Sequence, residues 1–134
     1  MTKSFSAQID AWTRKTKARM DAVVKSSTQD VVALAQKPVA KGGNMPVDTG
    51  FLRASLQSSL NGSTGLTGPE SYTLTVANME AGDVATFGWT ASYARHVEYG
   101  TQGRPGRHFV GNAALQWQRI VADNVTKAKA AVHG

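Results

Sequence analysis

The chain has 134 residues, 41% of them hydrophobic, and a formal net charge of +6, which fits one soluble domain built around a single modest core. It contains no cysteine, so disulfides, thiolate metal sites and cysteine nucleophiles are excluded. The first residues lack the apolar stretch of a signal peptide, and no apolar run is long enough to span a bilayer. We therefore expect an intracellular protein without a membrane partner.

The charge is unevenly distributed along the chain. Residues 1–41 carry eight Lys or Arg against three Asp or Glu, and residues 101–134 carry five against one. Residues 42–100 carry only two basic residues against five acidic ones. Two basic ends flanking an acidic middle indicate contact with nucleic acid, or with an oppositely charged surface on another copy of the chain.

The N-terminal third is predicted to form one long amphipathic helix. From Phe5 to Leu34, apolar or small residues recur at steps of three and four, and Pro38 ends the pattern. Trp12 falls on this apolar stripe, so we expect it in the core. Four basic residues lie largely off the stripe and form a candidate face for DNA phosphates or acidic neighbours: Arg14, Lys15, Lys17 and Arg19.

The length of this helix bears on assembly. Some thirty helical residues span about 45 Å, whereas a compact domain of this size has a diameter of about 36 Å. The helix is therefore expected either to be broken or to project from the monomer and pack on a neighbouring subunit.

The middle of the chain is predicted to form a small antiparallel sheet. The β-rich runs that would supply its strands are residues 55–60, 72–76 and 84–90. The first of these runs ends at Asn61-Gly62, a dipeptide typical of hairpins. Residues 37–45 and 61–69, rich in Gly, Pro and small polar residues, are expected to be flexible loops and the most mobile segments.

The last third is predicted to be mainly helical. A short helix is expected from Tyr93 to Tyr99, ended by Gly100 in a left-handed cap, and residues 103–106 are expected to be a loop. A second amphipathic helix is predicted from Phe109 to the C-terminus. Together the elements predict one α+β domain over residues 1–134, with the two long helices packed on one face of the sheet.

Three segments, in this order, carry a family resemblance. The first is PVDTGFLRASL at residues 46–56, the second is YARHVEYGT at residues 93–101, and the third is RHFV at residues 107–110. Each motif alone is weak, but the ordered set is more specific. It resembles the phage gene-product-ten-like family of neck, head–tail joining and tail-completion proteins.

The resemblance implies a structural virion protein that forms a homo-oligomeric ring, a hexamer, at the head–tail junction. This ring would join the head connector or adaptor to the tail tube or its terminator. Genomic DNA would pass non-specifically through its channel, and assembly would take place in the host cytoplasm. A tail terminator that caps the tube is the alternative within this class, and a small basic DNA-binding protein is the rival from another class.

The same resemblance makes the motif residues candidates for structural or inter-subunit contacts. They are Asp48, Thr49, Gly50, Leu52, Arg53, Tyr93, Val97, Glu98, Gly100, Thr101 and Phe109. Within the first motif, the Asp48-Thr49-Gly50 turn is expected to cap helix amides through its side-chain oxygens. Leu52, with Leu56 four residues on, is expected to anchor a short helix that continues through Arg53.

The second motif is expected to present two faces of a short helix. Tyr93, Val97 and Gly100 are spaced by four and three residues, which places them on one face. Glu98 and Arg95, three residues apart, are expected to form an ion pair on the opposite, exposed face.

No motif predicts enzymatic activity. His96, His108 and His133 lack the spacing of metal ligands, and neither a Gly-x-Ser-x-Gly elbow nor a Gly-x-x-x-x-Gly-Lys phosphate loop is present. We therefore expect no catalytic, metal-binding or cofactor-binding residues, and no cofactor. No recognised DNA-reading module is present either, which disfavours specific DNA recognition.

Overall fold

A single unbroken helix, α1 (Phe5–Ala35), opens the fold. The computed structural model describes residues 5–46, 50–63, 65–101 and 103–133. After α1, the elements in chain order are a 3₁₀ helix (Val39–Lys41), α2 (Phe51–Ala54), β1 (Leu56–Leu60), β2 (Leu66–Thr67), α3 (Ser71–Ala77), β3 (Ala85–Trp89), α4 (Ala94–Tyr99), β4 (Gly100–Thr101), β5 (Arg104–Pro105), α5 (Phe109–Leu115) and α6 (Trp117–His133).

The two halves of α1 lie in different environments. With 31 residues, α1 is about 46 Å long. Its C-terminal half supplies core residues, including Ser27, Val32 and Ala35, whereas residues 6–20 contain no buried residue. The prediction that Trp12 belongs to the core is wrong, since 69% of its surface is exposed. Periodicity identifies the apolar face of a helix but not whether another element covers it.

The sheet has three antiparallel strands in the order β2-β1-β3. Leu56 pairs with Trp89 and Ser58 with Phe87, so these four side chains share the face that is covered by helices. The opposite face carries polar residues such as Gln57 and is open to solvent. β2 lies inside the segment 61–69, so the prediction of a loop there is wrong for Leu66–Thr67, which pair with β1.

The segment 72–76 is helical, so the predicted strand there is wrong. Its alternating Tyr, Thr and Val residues favour a strand, but in α3 the buried residues follow helical spacing: Ser71, Tyr72, Thr75 and Val76. The Thr75 hydroxyl donates to the Ser71 carbonyl at 3.2 Å, within the helix. Ser71 also bonds to Ser58 of β1 through the two hydroxyls, 2.8 Å apart and buried. Packing on the sheet therefore overrides the local β propensity.

The segment 37–45 is a compact turn rather than an open loop. Met45 is fully buried, and its amide donates to the Lys37 carbonyl at 3.2 Å. The Val39 amide donates to the Met45 carbonyl at 3.0 Å, which closes the turn around the 3₁₀ helix. These contacts close the turn around Met45, and the expected mobility of the segment stays a prediction.

Two apolar clusters form the core, and Trp89 contacts both. One contains Val32, Leu56 and Tyr72, from α1, β1 and α3. The other is formed by Met45, Leu52 and Phe109. The Trp89 ring meets Phe109 edge to face, with centroids 5.0 Å apart, and its indole N–H donates to Gln36 Oε1 at 3.3 Å. Trp89 therefore links the helix-covered sheet to the motif region.

The C-terminal helical region differs from the prediction in two ways. It is broken at Gln116 into α5 and α6, and the Gln116 amide closes α5 by donating to the Ala113 carbonyl at 3.0 Å. α6 packs against α1, whereas the sheet face is covered by α1 and α3. Buried Asn124 holds this helix pair together by donating to Ser27 Oγ at 3.2 Å and Asp30 Oδ2 at 3.0 Å.

Candidate assembly surfaces

The second and third motifs meet at Glu98. This residue is 9% exposed, and its carboxylate accepts hydrogen bonds from the backbone amides of Val110 and Gly111, both at 2.9 Å. These amides belong to the first turn of α5, where the N-cap residue His108 provides no side-chain bond. Glu98 is thus a helix cap supplied by a distant residue.

The expected ion pair between Glu98 and Arg95 is therefore wrong. The ion pairs among the described residues join other side chains, and Arg95 is exposed. A carboxylate that satisfies two helix amides in a buried site is stabilised by charge-assisted bonds, which an exposed pair at a spacing of three residues does not offer. Spacing along α4 could not reveal this partner, because it lies on a different helix.

Glycines allow the backbone to approach closely around Glu98. Gly100 has φ 92° and ψ 168°, so it ends α4 with a positive φ but in an extended conformation rather than the predicted left-handed cap. A Cβ on Gly106 would lie 2.5 Å from the Glu98 carbonyl oxygen. The predicted loop at 103–106 instead contains β5, which pairs with β4. These contacts hold the end of α4 against the start of α5.

The first motif contributes a turn at Gly50 and a buried anchor at Leu52. Gly50 precedes α2 with φ 77°, a left-handed conformation that favours glycine. Leu52 is buried against Met45 and Phe109, as expected of an anchor, but Leu56 belongs to β1 and to the other cluster. Asp48 and Thr49 lie outside the described residues, so their capping role stays a prediction.

Arg53, on α2, has incomplete hydrogen bonding among the described residues. Its Nη2 is 4.0 Å from Glu70 Oε1, in a largely exposed ion pair. In the described part of the chain its Nε is buried without a hydrogen-bond partner. Among the described residues, the arginine of the motif therefore has one buried donor without an acceptor.

All three motifs line one open groove of about 850 Å³. The aromatic residues on its wall are Phe51, which is 71% exposed, and Tyr93. Val97 packs inward on the core beside Phe109, so only part of the predicted Tyr93–Val97 face is buried. The other lining residues include Thr101, His96, Arg104 and Arg107. The groove combines aromatic surface with positive charge.

A second surface is formed by the arm, the name used here for residues 5–20 of α1. Ile9, Trp12 and Met20 of its apolar stripe are all exposed. An exposed ion pair of Lys17 with Glu80, at 3.6 Å, joins the arm's root to the rest of the subunit. The Ala81 amide donates to Asp21 Oδ1 at 2.7 Å one residue beyond the arm. The candidate basic residues Arg14, Lys15, Lys17 and Arg19 are all exposed on this projecting helix.

The described residues contain no group of His, Asp or Glu side chains that could hold a metal ion. His96 and His108 are exposed and belong to α4 and to the N-cap of α5. Within the same described part of the chain, no helix is long and apolar enough to cross a membrane.

The exposed apolar stripe of the arm and the aromatic groove are surfaces suited to contacts between proteins.

The family comparison agrees with such an interaction protein. The family model described as "Bacteriophage HK97-gp10, putative tail-component" matches residues 3–100. Because this match covers most of the chain, the protein belongs to the HK97-gp10-like family of phage tail components. The match includes the first motif and nearly all of the second, and the third motif lies beyond it. No curated protein and no solved structure matches the chain.

Proposed function

We propose that the chain is the subunit of a closed ring at the head–tail junction of a phage particle. The ring joins the head connector or adaptor to the tail tube or its terminator and leaves a channel for genomic DNA. Membership in a family of tail components supports the structural class. Six copies per ring and assembly in the host cytoplasm belong to the same proposal.

The arm is the observation that carries this proposal. Its stripe of Ile9, Trp12 and Met20 remains exposed in the monomer although the same helix is packed further on. Removing apolar surface from water is favourable by about 25 cal/mol for each Å², and this gain offsets the entropic cost of association. A projecting helix with such a stripe is suited to packing against a second subunit.

Charge segregation supports head-to-tail contacts. A ring of identical subunits needs two different complementary surfaces on each copy. The arm is basic, whereas Glu70, Glu80 and Asp83 of the acidic middle lie at or near the surface. Glu98 does not belong to this acidic surface because it is buried as a helix cap.

A four-site variant with Ala at Arg14, Lys15, Lys17 and Arg19 tests joining against DNA binding. If the arm docks on neighbouring proteins, the variant should fail to join heads to tails while its fold persists, because all four side chains are exposed. The parent should bind duplex DNA only weakly at physiological salt. An equally sized variant with Ala at Lys37, Lys41, Lys127 and Lys129, which are exposed and lie outside both the arm and the groove, is the control for loss of charge alone.

The opposite outcome has a clear signature. If the four residues bind phosphates, log affinity should fall against log salt with a slope of about −3.6, from about 0.9 per neutralised phosphate. Tight, salt-steep DNA binding by the parent, together with normal joining by the four-site variant, would reject the ring in favour of a DNA-binding protein.

A further inference from the structure

The two faces of α3 differ in burial, and the outer face is a candidate docking site for the arm of another copy. The inner face of α3, with Tyr72 and Val76, packs on α1 and the sheet. On the opposite side Leu74 is 60% exposed, although it is the largest apolar residue of that side. An exposed leucine in the middle of a helix face offers a small apolar contact for another helix.

Acidic residues precede and follow α3 along the chain. Glu70 precedes α3 by one residue and lies four residues before Leu74, which places both on the same side of the helix. Glu80 follows three residues after the end of α3 and is exposed. Their partners within the subunit, Arg53 at 4.0 Å and Lys17 at 3.6 Å, form solvent-exposed pairs. Such pairs contribute little to stability, so both carboxylates can exchange partners.

The other apolar surfaces fit the arm less well. The groove lined by the motifs carries Arg104 and Arg107 and, among the described residues, no acidic side chain, so it repels a basic helix. Pairing of two arms would bring their Arg14–Arg19 clusters together and would also give a symmetric contact, which does not propagate a ring. The outer face of α3 differs from both, because it combines an exposed leucine with the carboxylate of Glu70 on the same side, and this charge is opposite to that of the arm.

We propose that the arm of one copy docks on the outer face of α3 in the next copy. Trp12 and Ile9 cover Leu74, and the basic residues of the arm face Glu70 and Glu80. The inference rests on the proposed ring and deepens it by naming the two surfaces of each seam. Because the two surfaces differ, the contact is heterologous and can repeat around a closed ring.

Cysteine crosslinking tests this seam directly, because the chain has no cysteine of its own. Trp12→Cys protein is mixed with mass-tagged Leu74→Cys protein under conditions in which the parent forms rings, and the mixture is oxidised. The matched control is Leu115→Cys, another exposed leucine, on α5. We expect several-fold more Trp12–Leu74 product than Trp12–Leu115 product.

The possible outcomes distinguish failure of the proposed contact from failure of the proposed ring. Rings in which Trp12 crosslinks equally to both positions, or chiefly to a second Trp12→Cys chain, would overturn the seam and leave the ring standing. Failure of the parent to form rings with or without its head and tail partners would overturn the proposed function itself, and the seam with it.

Charge reversal provides an independent measurement. An arm variant (Arg14→Glu with Lys15→Glu) and a face variant (Glu70→Lys with Glu80→Lys) should each associate less than the parent. A mixture of the two should regain association, because each arm then meets a face of opposite charge. Mass distributions from light scattering report the effect. A mixture that stays as dissociated as each variant alone would overturn the seam.

Discussion

Glu98 and Gly111 are joined across the boundary between α4 and α5. Oε2 of Glu98 accepts a hydrogen bond from the Gly111 amide at 2.9 Å, and a Cβ on Gly111 would lie 3.2 Å from that same oxygen. The glutamate of the second motif therefore fixes the start of the C-terminal helical region. It joins the segment matched by the family model to the part of the chain that follows it.

Removing the Glu98 carboxylate should destabilise the fold. Glu98→Ala leaves the Val110 and Gly111 amides without their acceptor, which should lower the free energy of unfolding by about 2 kcal/mol. Glu98→Gln keeps one acceptor oxygen and should lose less. Urea unfolding followed by circular dichroism measures these differences.

Arg95→Ala is the control for the cap. Because Arg95 is exposed, its loss should change the free energy of unfolding by less than about 0.5 kcal/mol. Equal losses for Arg95→Ala and Glu98→Ala would instead support an ion pair between the two residues and contradict the cap.

Close backbone approach should make Gly106 intolerant of a side chain. In Gly106→Ala the new Cβ would meet the Glu98 carbonyl oxygen at 2.5 Å, and relieving that clash should cost about 1–3 kcal/mol of unfolding free energy. The matched variant is Gly88→Ala in β3, where a Cβ meets nothing within 4 Å. Thermal unfolding should show a lower midpoint for the first variant and little change for the second. Similar midpoints would mean that β5 is not held against α4.

Asp83 should make stability depend on pH in the acid range. The Glu80 amide donates to its carboxylate at 2.8 Å and the Asn61 side chain at 3.1 Å, and these bonds hold the pKa of Asp83 below its ordinary value of 3.8. Because the folded pKa is lowered, the contribution is present above the ordinary pKa and is lost as pH falls through the folded pKa. Asp83→Asn should flatten this part of the stability profile. A pKa at or above 3.8 in an NMR titration would contradict the assignment.

Two tryptophans should respond in opposite ways to truncation. Trp89→Ala removes a ring that contacts both core clusters and should lower the free energy of unfolding by about 3 kcal/mol. Trp12→Ala removes an exposed ring and should leave that free energy within about 0.5 kcal/mol of the parent while weakening assembly. A large loss of monomer stability in Trp12→Ala would show that the arm packs on its own subunit.

Sequence periodicity correctly predicted those elements whose secondary structure does not depend on contacts with distant parts of the chain. The stripe from Phe5 to Leu34 predicted α1, and its excess length predicted a helix that is either broken or projects from the monomer; the helix is unbroken. β1 and β3 also follow their sequence patterns closely. In each case the spacing of the apolar side chains indicates the type of element, and a terminating residue indicates where it ends.

Predictions failed where a partner far along the chain decides the structure. Residues 71–77 are helical because Ser71 and Val76 pack on neighbouring elements, although their alternation favours a strand. Trp12 is exposed because, among the described residues, no element of its subunit covers its ring. The acceptor role of Glu98 depends on amides twelve and thirteen residues away, which no helical spacing could indicate.

Electron cryomicroscopy of assembled particles tests the central claim most directly, because it shows where the protein lies and which copies touch. We expect a closed ring at the head–tail junction, with the arm of each copy against its neighbour and the channel along the tail axis. Copies placed elsewhere in the particle, or copies at the junction that make no contact with one another, would contradict the account.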